Sequence, residues 1–353
     1  MLKERLSTQS FFLFAIFVSR NEQDNGMTRI ITLLCMMLSC TIAVQAAEGH
    51  IHAVIVSGGM NKMMNHERYW NDCAFLYRTL RQDYHIAKED IIVLMSDGGD
   101  PANDQMTVNN NGFASSNSDL DNDGERDIFL AATMQNLVSV MSALSLQLTK
   151  DDHLFLFFID HGDSEDKQGD AYLWLWNSEK LSDSMLALLL EQFDVASMNI
   201  VAGQCYSGGF IDNLSEQGRV IATACKENEL SWMCPDKNYD EFIYHWTCAI
   251  AGHDEKGGMI DADANGDGRV SMAEAFHYAR IHDRRDETPQ YCSLPFDLGE
   301  RWTFSGVLPT GVMDVERETT NNNRSVYDLQ GRPQSGHGRG AYIVKGRIIN
   351  SKR

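Results

Sequence analysis

The sequence is short of proline, cysteine, positive charge and long apolar runs. Its 353 residues include six prolines and eight cysteines, and 30 basic residues stand against 50 acidic ones, for a formal net charge of −20. The few cysteines argue against a disulfide scaffold in a domain of this size. The acidic balance argues against nucleic acid and anionic membranes as partners, and it is compatible with bound calcium.

No apolar run is long enough for a spanning helix. The run Ile30–Val44 falls short of the 18 or more residues that a transmembrane helix requires, so the mature chain is predicted to contain none. A basic stretch after Met27 precedes this run and small residues follow it, a pattern typical of a signal peptide. We therefore interpret residues 1–46 as a signal or targeting region with Met27 as the true start, while a lipoprotein signal ending at Cys40 is the alternative.

Downstream of residue 47, strand-like and helix-like patterns alternate. Short apolar runs bounded by turn residues predict strands, and apolar residues at helical spacing predict the helices between them. The predicted strands lie near residues 50–57, 91–96, 152–160 and 199–202, and the predicted helices at 70–82, 127–148 and 185–193. Such alternation predicts an α/β fold with a mostly parallel sheet and helices on both faces.

Two of these strands end at residue types that serve in catalysis. His161 and Gly162 follow the run beginning at Asp152, and Cys205 follows the run beginning at Asn199. Ligands of open parallel sheets bind outside the carboxyl ends of the strands. The pattern therefore predicts that His161 and Cys205 face each other across one cleft.

A cysteine nucleophile needs such a partner. A thiol with a pKa of about 8.5 is mostly protonated at neutral pH, and a nearby histidine can take its proton and later return it to a leaving amine. Taken singly, a cysteine or histidine at a strand end is more often a packed structural residue. The occurrence of both, each at the end of an apolar strand, favours the catalytic interpretation.

The order of motifs between His52 and Gly252 resembles the legumain (asparaginyl endopeptidase) family of caspase-like cysteine peptidases. The resemblance implies a caspase-like fold and cysteine-type endopeptidase activity on peptide or protein substrates. It also implies that His161 is the general base, that Cys205 is the nucleophile, and that the backbone N–H groups of Gly162 and Cys205 form the oxyanion hole. The motifs that carry it are the strand His52–Gly58, the stretches Asn65–Asp72, Glu89–Asp97 and Asp160–Gly162, the Cys205 strand, and the stretches Val220–Ala224 and Glu229–Trp232.

The same resemblance implies a pocket for the substrate side chain. Arg68 and Ser231 match the family's pocket residues, whereas Gly203 and His245 stand where the family has acidic groups. A pocket of Arg68, Ser231 and His245 without an acid is expected to tolerate an acidic side chain better than a basic one. Asn65 lies near the family's orienting asparagine but is displaced by one residue.

Residues 263–274 fit the twelve-residue calcium loop of an EF-hand. Oxygen ligands stand at the required spacing, and the backbone carbonyl of the seventh residue completes the set. The predicted ligands are Asp263, Asn265, Asp267, Arg269 through its carbonyl, and Glu274. Residues 273–281 are predicted to form the exiting helix, so we expect a structural Ca²⁺ here.

A second acidic loop begins in the same way. It places Asp119, Asp121 and Asp123 at the spacing of calcium ligands, but Leu130 occupies the position of the bidentate glutamate. Asp127 either closes this weaker site or caps the helix that is predicted to follow it.

The composition changes near the C-terminus. Residues 311–324 form a polar linker, and from Asn322 onward the chain has seven basic residues and one acidic. Residues 325–353 resemble the small β-rich C-terminal sorting domain of bacterial type nine secretion cargo, which implies the export machinery as a partner. A small terminal hairpin with a basic tail is the alternative.

The sequence thus predicts a peptidase domain over residues 47–310 that is exported, whether secreted, held at the cell surface or periplasmic. Two other functions are compatible with the same residues: a transpeptidase or ligase that uses the same dyad, and a non-catalytic calcium-binding surface module. After export, Cys234 and Cys248 are able to pair.

Overall fold

The computed structural model describes residues 49–108, 112–164 and 170–307, together with four strands between residues 326 and 351. The predicted targeting region 1–46 and the linker 311–324 lie outside the described residues.

Between residues 49 and 307 the described chain alternates strands and helices. The strands are β1 (Ile51–Ser57), β2 (Ile91–Met95), β3 (Gln105–Met106), β4 (Phe113–Ala114), β5 (Ile128–Leu130), β6 (His153–Phe158), β7 (Gly162–Ser164), β8 (Ala171–Trp174), β9 (Lys180–Ser182), β10 (Ser197–Ala202), β11 (Arg219–Thr223), β12 (Gln290–Leu294), β13 (Trp302–Thr303) and β14 (Gly306–Val307). The α-helices are α1 (Glu67–Arg78), α2 (Met134–Gln147), α3 (Asp183–Leu190), α4 (Gly209–Leu214), α5 (Glu241–Ala251), α6 (Met272–His282) and α7 (Leu298–Arg301).

Seven of these strands form the central sheet, in the order β12-β11-β10-β6-β1-β2-β5. The pairs from β11 to β5 are parallel, and β12 runs antiparallel to β11 at one edge. The prediction of a mostly parallel α/β sheet is therefore confirmed. Because the parallel strands end at one edge, the residues that follow β6 and β10 are brought together there.

The sheet buries apolar side chains on both faces, as its alternating pattern requires. Ile51, Ala53 and Ile55 of β1 pack in one core with helices α1, α5 and α6. Val54 and Val56 face the other core, which includes residues of α2, α3 and α4. The prediction of helices on both faces is confirmed.

The predicted helix 127–148 begins too early, and this prediction is wrong over its first turns. Residues Ile128–Leu130 form the edge strand β5 instead. The helix begins only after Thr133, whose side-chain oxygen accepts a hydrogen bond from the backbone N–H of Asn136 and caps the N-terminus. The other predicted strands and helices are found within a few residues of the expected bounds.

Four short strands follow near the C-terminus: β15 (Val326–Asp328), β16 (Pro333–Gln334), β17 (Gly340–Val344) and β18 (Arg347–Ser351). They pair antiparallel in the order β16-β15-β17-β18. Within the described part of the chain, no helix has both the length and the apolar character needed to cross a membrane.

Candidate active site

The structure places His161 and Cys205 at the same edge of the sheet. Phe158 and Ala202 are paired in the parallel ladder between β6 and β10, and His161 and Cys205 each follow three residues later. The loops are in close contact, because a Cβ atom on Gly162 would lie 2.3 Å from the carbonyl oxygen of Cys205. Only a glycine permits this approach.

The ring of His161 is held by a backbone carbonyl. Its Nε2 lies 3.1 Å from the carbonyl oxygen of Met64. A carbonyl oxygen can only accept, so in the neutral ring Nε2 carries the hydrogen and Nδ1 has the basic lone pair. The rings of His66 and Tyr69 pack edge-on against His161, with centroid distances of 5.5 and 5.4 Å.

Burial, followed by the positive charge of Arg68, lowers the pKa of His161 below its usual value. The preceding residue, Asp160, is buried, and burial raises its pKa to about 7. Its carboxyl group accepts hydrogen bonds from the N–H of His161 at 2.6 Å, the Ser57 hydroxyl at 3.3 Å and the N–H of Gly59. Asp160 therefore fixes the backbone of the loop that carries His161.

Cys205 lies in a sharp turn against Ser231. The next residue, Tyr206, adopts a left-handed conformation with φ of 61°, which the sequence pattern does not reveal. The N–H of Ser231 donates to Sγ at 3.3 Å, and the thiol lies 3.7 Å from the Ser231 carbonyl oxygen. Burial raises the pKa of the thiol. Both shifts favour the neutral forms of Cys205 and His161.

An acidic group does stand beside Arg68, so the expectation of a pocket without an acid is wrong. The guanidinium Nε lies 3.0 Å from Oδ2 of Asp240, and the guanidinium carbon lies 4.2 Å from the centroid of the Tyr69 ring. The N–H of Asp240 donates to the carboxyl group of Asp72 at 3.2 Å. Asp72 is fully buried, and burial together with Asp240 raises its pKa. Asp240 was missed because it lies 172 residues from Arg68 in the chain.

A cavity of about 200 Å³ opens next to Arg68. Of the residues predicted to line the substrate pocket, it contains Arg68 but neither Ser231 nor His245. His245 lies on α5, where its ring is 3.7 Å from Glu241 and 5.7 Å, between centroids, from His282. Ser231 contacts Cys205 instead, through the hydrogen bond from its N–H to Sγ. The residues that line the cavity are His66, Glu67, Arg68, Met106, Val108, Met233 and Lys237.

The loop 263–274 has a closed set of internal hydrogen bonds. The Asp263 carboxylate accepts from the N–H groups of residues 266, 267 and 268, and the carboxylate of Glu274 accepts from those of Asn265 and Ser271. Ser271 and Glu274 form a capping box at the start of α6, which confirms the predicted exiting helix. The side-chain atoms of this loop that are able to bind a metal ion are oxygens, the ligand type that Ca²⁺ prefers.

The second acidic loop brings three carboxylates together. One oxygen each of Asp119, Asp121 and Asp127 lies within 4.8 Å of the others, a grouping that suits a metal ion. Asp123 is outside this group. Asp127 also pairs with Lys88 at 2.8 Å, so a cation at this position would have to displace or share that contact.

The six cysteines between Cys73 and Cys292 are all free thiols in the structure, including Cys234 and Cys248. Cys205 is partly exposed, whereas Cys234 and Cys248 are buried and burial raises the pKa of both. Position and exposure thus separate Cys205 from these two buried thiols.

Comparisons with known proteins assign the chain to a family. The model of the peptidase C13 family matches residues 51–291, more than half of the chain. No curated protein matches. Among solved structures, the crystal structure of protein GSU0716 from Geobacter sulfurreducens is 12% identical with a TM-score of 0.40, over 69% of this chain and 93% of that chain, a likeness too low to support an argument. With its mostly parallel sheet between two layers of helices, the chain has a caspase-like α/β fold and belongs to the peptidase C13, or legumain, family of cysteine peptidases.

Proposed function

We propose that the protein is an exported cysteine endopeptidase in which Cys205 is the nucleophile and His161 the general base and acid. The observation that carries this proposal is that both residues lie at the carboxyl edge of the sheet in loops that contact each other, with Met64 holding Nε2 of the His161 ring. Membership of the peptidase C13 family supports it.

In the proposed reaction, Sγ of Cys205 attacks the carbonyl carbon of the scissile amide. The thiol proton passes to Nδ1 of His161, because Nε2 already carries the hydrogen that faces Met64. His161 then returns the proton to the leaving amine and a thioester remains, which water hydrolyses with His161 again acting as base. Because both groups begin neutral, the proton transfer accompanies the attack.

The backbone N–H groups of Gly162 and Cys205 are the proposed oxyanion hole. The loops that carry them are in contact, because a Cβ atom added at Gly162 would lie only 2.3 Å from the Cys205 carbonyl oxygen. Donors that are fixed before the reaction stabilise the developing negative charge without reorganisation. The absence of a side chain at Gly162 permits this close approach of the two loops.

The cavity beside Arg68 is the proposed binding site for the substrate side chain. The charge of Arg68 is compensated by buried Asp240 across 3.0 Å, and Arg68 lines the cavity together with Glu67 and Lys237. The lining thus offers hydrogen-bond donors and an acceptor, which suits a neutral side chain that donates and accepts, such as a carboxamide. Arg68 and Lys237 outnumber Glu67 there, so a basic side chain is disfavoured.

We also propose that Ca²⁺ stabilises the loop 263–274 through Asp263, Asn265, Asp267, the carbonyl of Arg269 and Glu274. The all-oxygen donor set and the capping box that begins α6 support this proposal. Bound calcium would neutralise part of the negative charge of the carboxylates that cluster in this loop. The three carboxylates at Asp119, Asp121 and Asp127 are a second, weaker candidate.

Export is proposed from the sequence alone, through the signal region 1–46 and the basic tail 325–353. The test is the fate of the full chain in its natural cell. A chain that remains in the cytoplasm would overturn this part of the proposal and leave the peptidase assignment untouched.

The catalytic proposal is tested with a thiol-directed peptide probe on purified mature protein. We expect labelling of the native protein and none of Cys205→Ala, with labelling of His161→Ala reduced by about 10²-fold or more. Cys292→Ala is the matched control, since Cys292 is also partly exposed but lies in the edge strand β12. Labelling that does not depend on His161 would contradict the dyad, and the mass of the product separates hydrolysis from ligation.

A further inference from the structure

The backbone at Ser231 forms one side of the nucleophile's surroundings. The Ser231 N–H donates to Cys205 Sγ at 3.3 Å, and its hydroxyl donates to the carbonyl oxygen of Gly203 at 2.6 Å. A displacement of the segment Ser231–Trp232 would change both the solvation of the Cys205 thiol and the direction in which it points. The contacts that hold this segment in place therefore bear on the thiol.

The indole of Trp232 does not anchor the segment, because this residue is 42% exposed. The backbone of this segment is held instead by side chains that follow α6 in the chain. The N–H of Trp232 donates to Oε2 of Glu287 at 3.0 Å, and Nε of Arg285 donates to the carbonyl oxygen of Met233 at 2.8 Å. Polar contacts from the segment after α6 therefore replace apolar packing at this point.

Glu287 is itself paired with a second acid. The negative charge of Asp283 acts on Glu287 and, after burial, raises its pKa. Oε1 of Glu287 and Oδ2 of Asp283 are both buried, and neither has a hydrogen-bond partner among the described residues. Two carboxyl oxygens can form a hydrogen bond with each other only if a proton lies between them, so one shared proton would satisfy both atoms.

The pair rests on a rigid support. Asp283 follows the last residue of α6, its N–H donates to the carbonyl oxygen of Ala279, and its Oδ1 accepts the N–H of Arg285 at 2.8 Å. A continuous set of contacts thus runs from the end of α6 through Glu287 and Trp232 to Cys205.

We propose that Glu287 is a positioning residue of the peptidase, and that its carboxyl group, joined to that of Asp283 by a shared proton, holds the Ser231–Trp232 segment against the thiol of Cys205. The inference rests on the proposed function, because its readout is the chemistry of Cys205. Glu287 does not touch the reacting atoms and acts through the backbone of Trp232.

The shared proton makes the arrangement sensitive to alkaline pH. Burial, followed by the negative charge of Asp283, raises the pKa of Glu287 to about 10. The other titratable or charged groups near the pair are the carboxyl groups of Asp240 and Glu241, the guanidinium of Arg285, and the thiols of Cys205 and Cys225. Two of these are carboxyl groups against one cation, so loss of the shared proton would place a second negative charge in an already acidic region and release the segment.

Two substitutions test the proposal by steady-state kinetics on a peptide substrate. Glu287→Ala removes the contact to Trp232, and we expect kcat/KM to fall by about 10- to 100-fold, as for a misplaced catalytic group. Glu287→Gln keeps both contacts, since its oxygen accepts from Trp232 and its amide donates to Asp283, and we expect kcat/KM within about threefold of the native value. The glutamine has no proton to lose, so its activity should persist to higher pH than that of the native protein.

Glu89→Ala and Glu89→Gln are the matched controls, because Glu89 is exposed at the opposite end of the sheet. If the native protein neither labels nor cleaves, the proposed function fails. If the native protein is active and a folded Glu287→Ala matches it, the positioning role is overturned. Should Glu287→Ala fail to fold, Glu287→Gln decides: an alkaline limb unchanged from the native protein overturns the proposal.

Discussion

Nε2 of His161 lies 3.1 Å from the carbonyl oxygen of Met64, and Asn65, the next residue, is locked in place by its side chain. The amide nitrogen of Asn65 donates to the Ser96 hydroxyl at 2.7 Å and to the carbonyl oxygen of Asp104 at 3.0 Å. The tautomer of His161 therefore depends on a backbone carbonyl whose position is set by a buried amide. Asn65 was noted in the sequence as an orienting candidate, but its side chain bonds to Ser96 and Asp104, and the orienting atom belongs to Met64.

Asn65→Ala should lower both stability and activity. It leaves buried hydrogen-bonding groups at Ser96 and Asp104 without their partner, which costs about 1–3 kcal/mol of unfolding free energy. Urea unfolding and kcat measure the two effects. Ser96→Ala removes one of the same bonds but leaves Asn65 in place, and we expect a smaller loss of kcat from it. Equal kcat in native protein and Asn65→Ala would contradict the role of this loop.

Gly162→Ala should remove activity through a steric clash. The added Cβ atom would lie 2.3 Å from the carbonyl oxygen of Cys205, a backbone atom that cannot rotate away. We expect a loss of about 1–3 kcal/mol in unfolding free energy and a loss of activity of at least about 10²-fold. Ser164→Ala in the same strand adds no atoms and is the control. Retained activity in Gly162→Ala would show that the two loops are further apart than in this structure.

The pair of Arg68 and Asp240 should determine the preference for the residue before the scissile bond. With Asp240→Asn, the guanidinium loses its counter-charge, so we expect kcat/KM to rise for peptides with an acidic residue there relative to those with a carboxamide. Removal of one partner of a buried ion pair costs about 3–5 kcal/mol, so folding must be confirmed by thermal unfolding. Cleavage by the native protein after lysine or arginine would contradict the proposed pocket.

Stability should fall as the pH rises from about 7 to 9. Burial raises the pKa of Glu287 to about 10, so in this range Glu287 keeps a proton in the folded chain that the unfolded chain has already lost. Burial also raises the pKa of Asp72, which acts in the same direction. The histidines whose pKa burial lowers are neutral in both states at this pH and do not contribute. Each such proton lowers the unfolding free energy by about 1.4 kcal/mol per pH unit.

Urea unfolding at several pH values measures this slope, and Asp72→Asn should flatten it. The side-chain oxygen of the asparagine still accepts from the N–H of Asp240, but the side chain has no proton to lose. Glu89→Gln should leave the slope unchanged. A native protein that becomes more stable between pH 7 and 9 would contradict the assignment of protonated carboxyl groups.

Calcium should raise the thermal stability of the mature protein. By mass action the gain is about 2.7 kcal/mol when calcium exceeds its Kd a hundredfold. Asp263→Asn should abolish most of the increase in Tm, Asp119→Asn a smaller part, and the exposed Asp151→Asn none. If calorimetry at millimolar calcium detects no binding to the native protein, both proposed calcium loops are wrong.

The sequence by itself was sufficient for the features that depend on local pattern. Apolar runs followed by turn residues identify β6 and β10, and because parallel strands end at one edge, they also predict the meeting of His161 and Cys205. The turn and oxygen spacing of residues 263–274, with Glu274 in the cap of α6, are likewise encoded within twelve residues. Helical periodicity led to a wrong prediction at residues 127–133, because Ile128–Leu130 pair at the sheet edge as β5 and Thr133 caps the start of the helix.

Only the tertiary structure decided which polar groups meet from distant parts of the chain. Asp240 reaches Arg68 across 172 residues, Met64 reaches His161 across 97, and Glu287 reaches Trp232 across 55. No periodicity or fixed spacing in the sequence marks these contacts, because each depends on how loops from separate strands and helices pack against one another. For this reason the placement of His161 and Cys205 at one edge of the sheet was predictable, whereas the charge balance beside Arg68 and the contacts behind Cys205 were not.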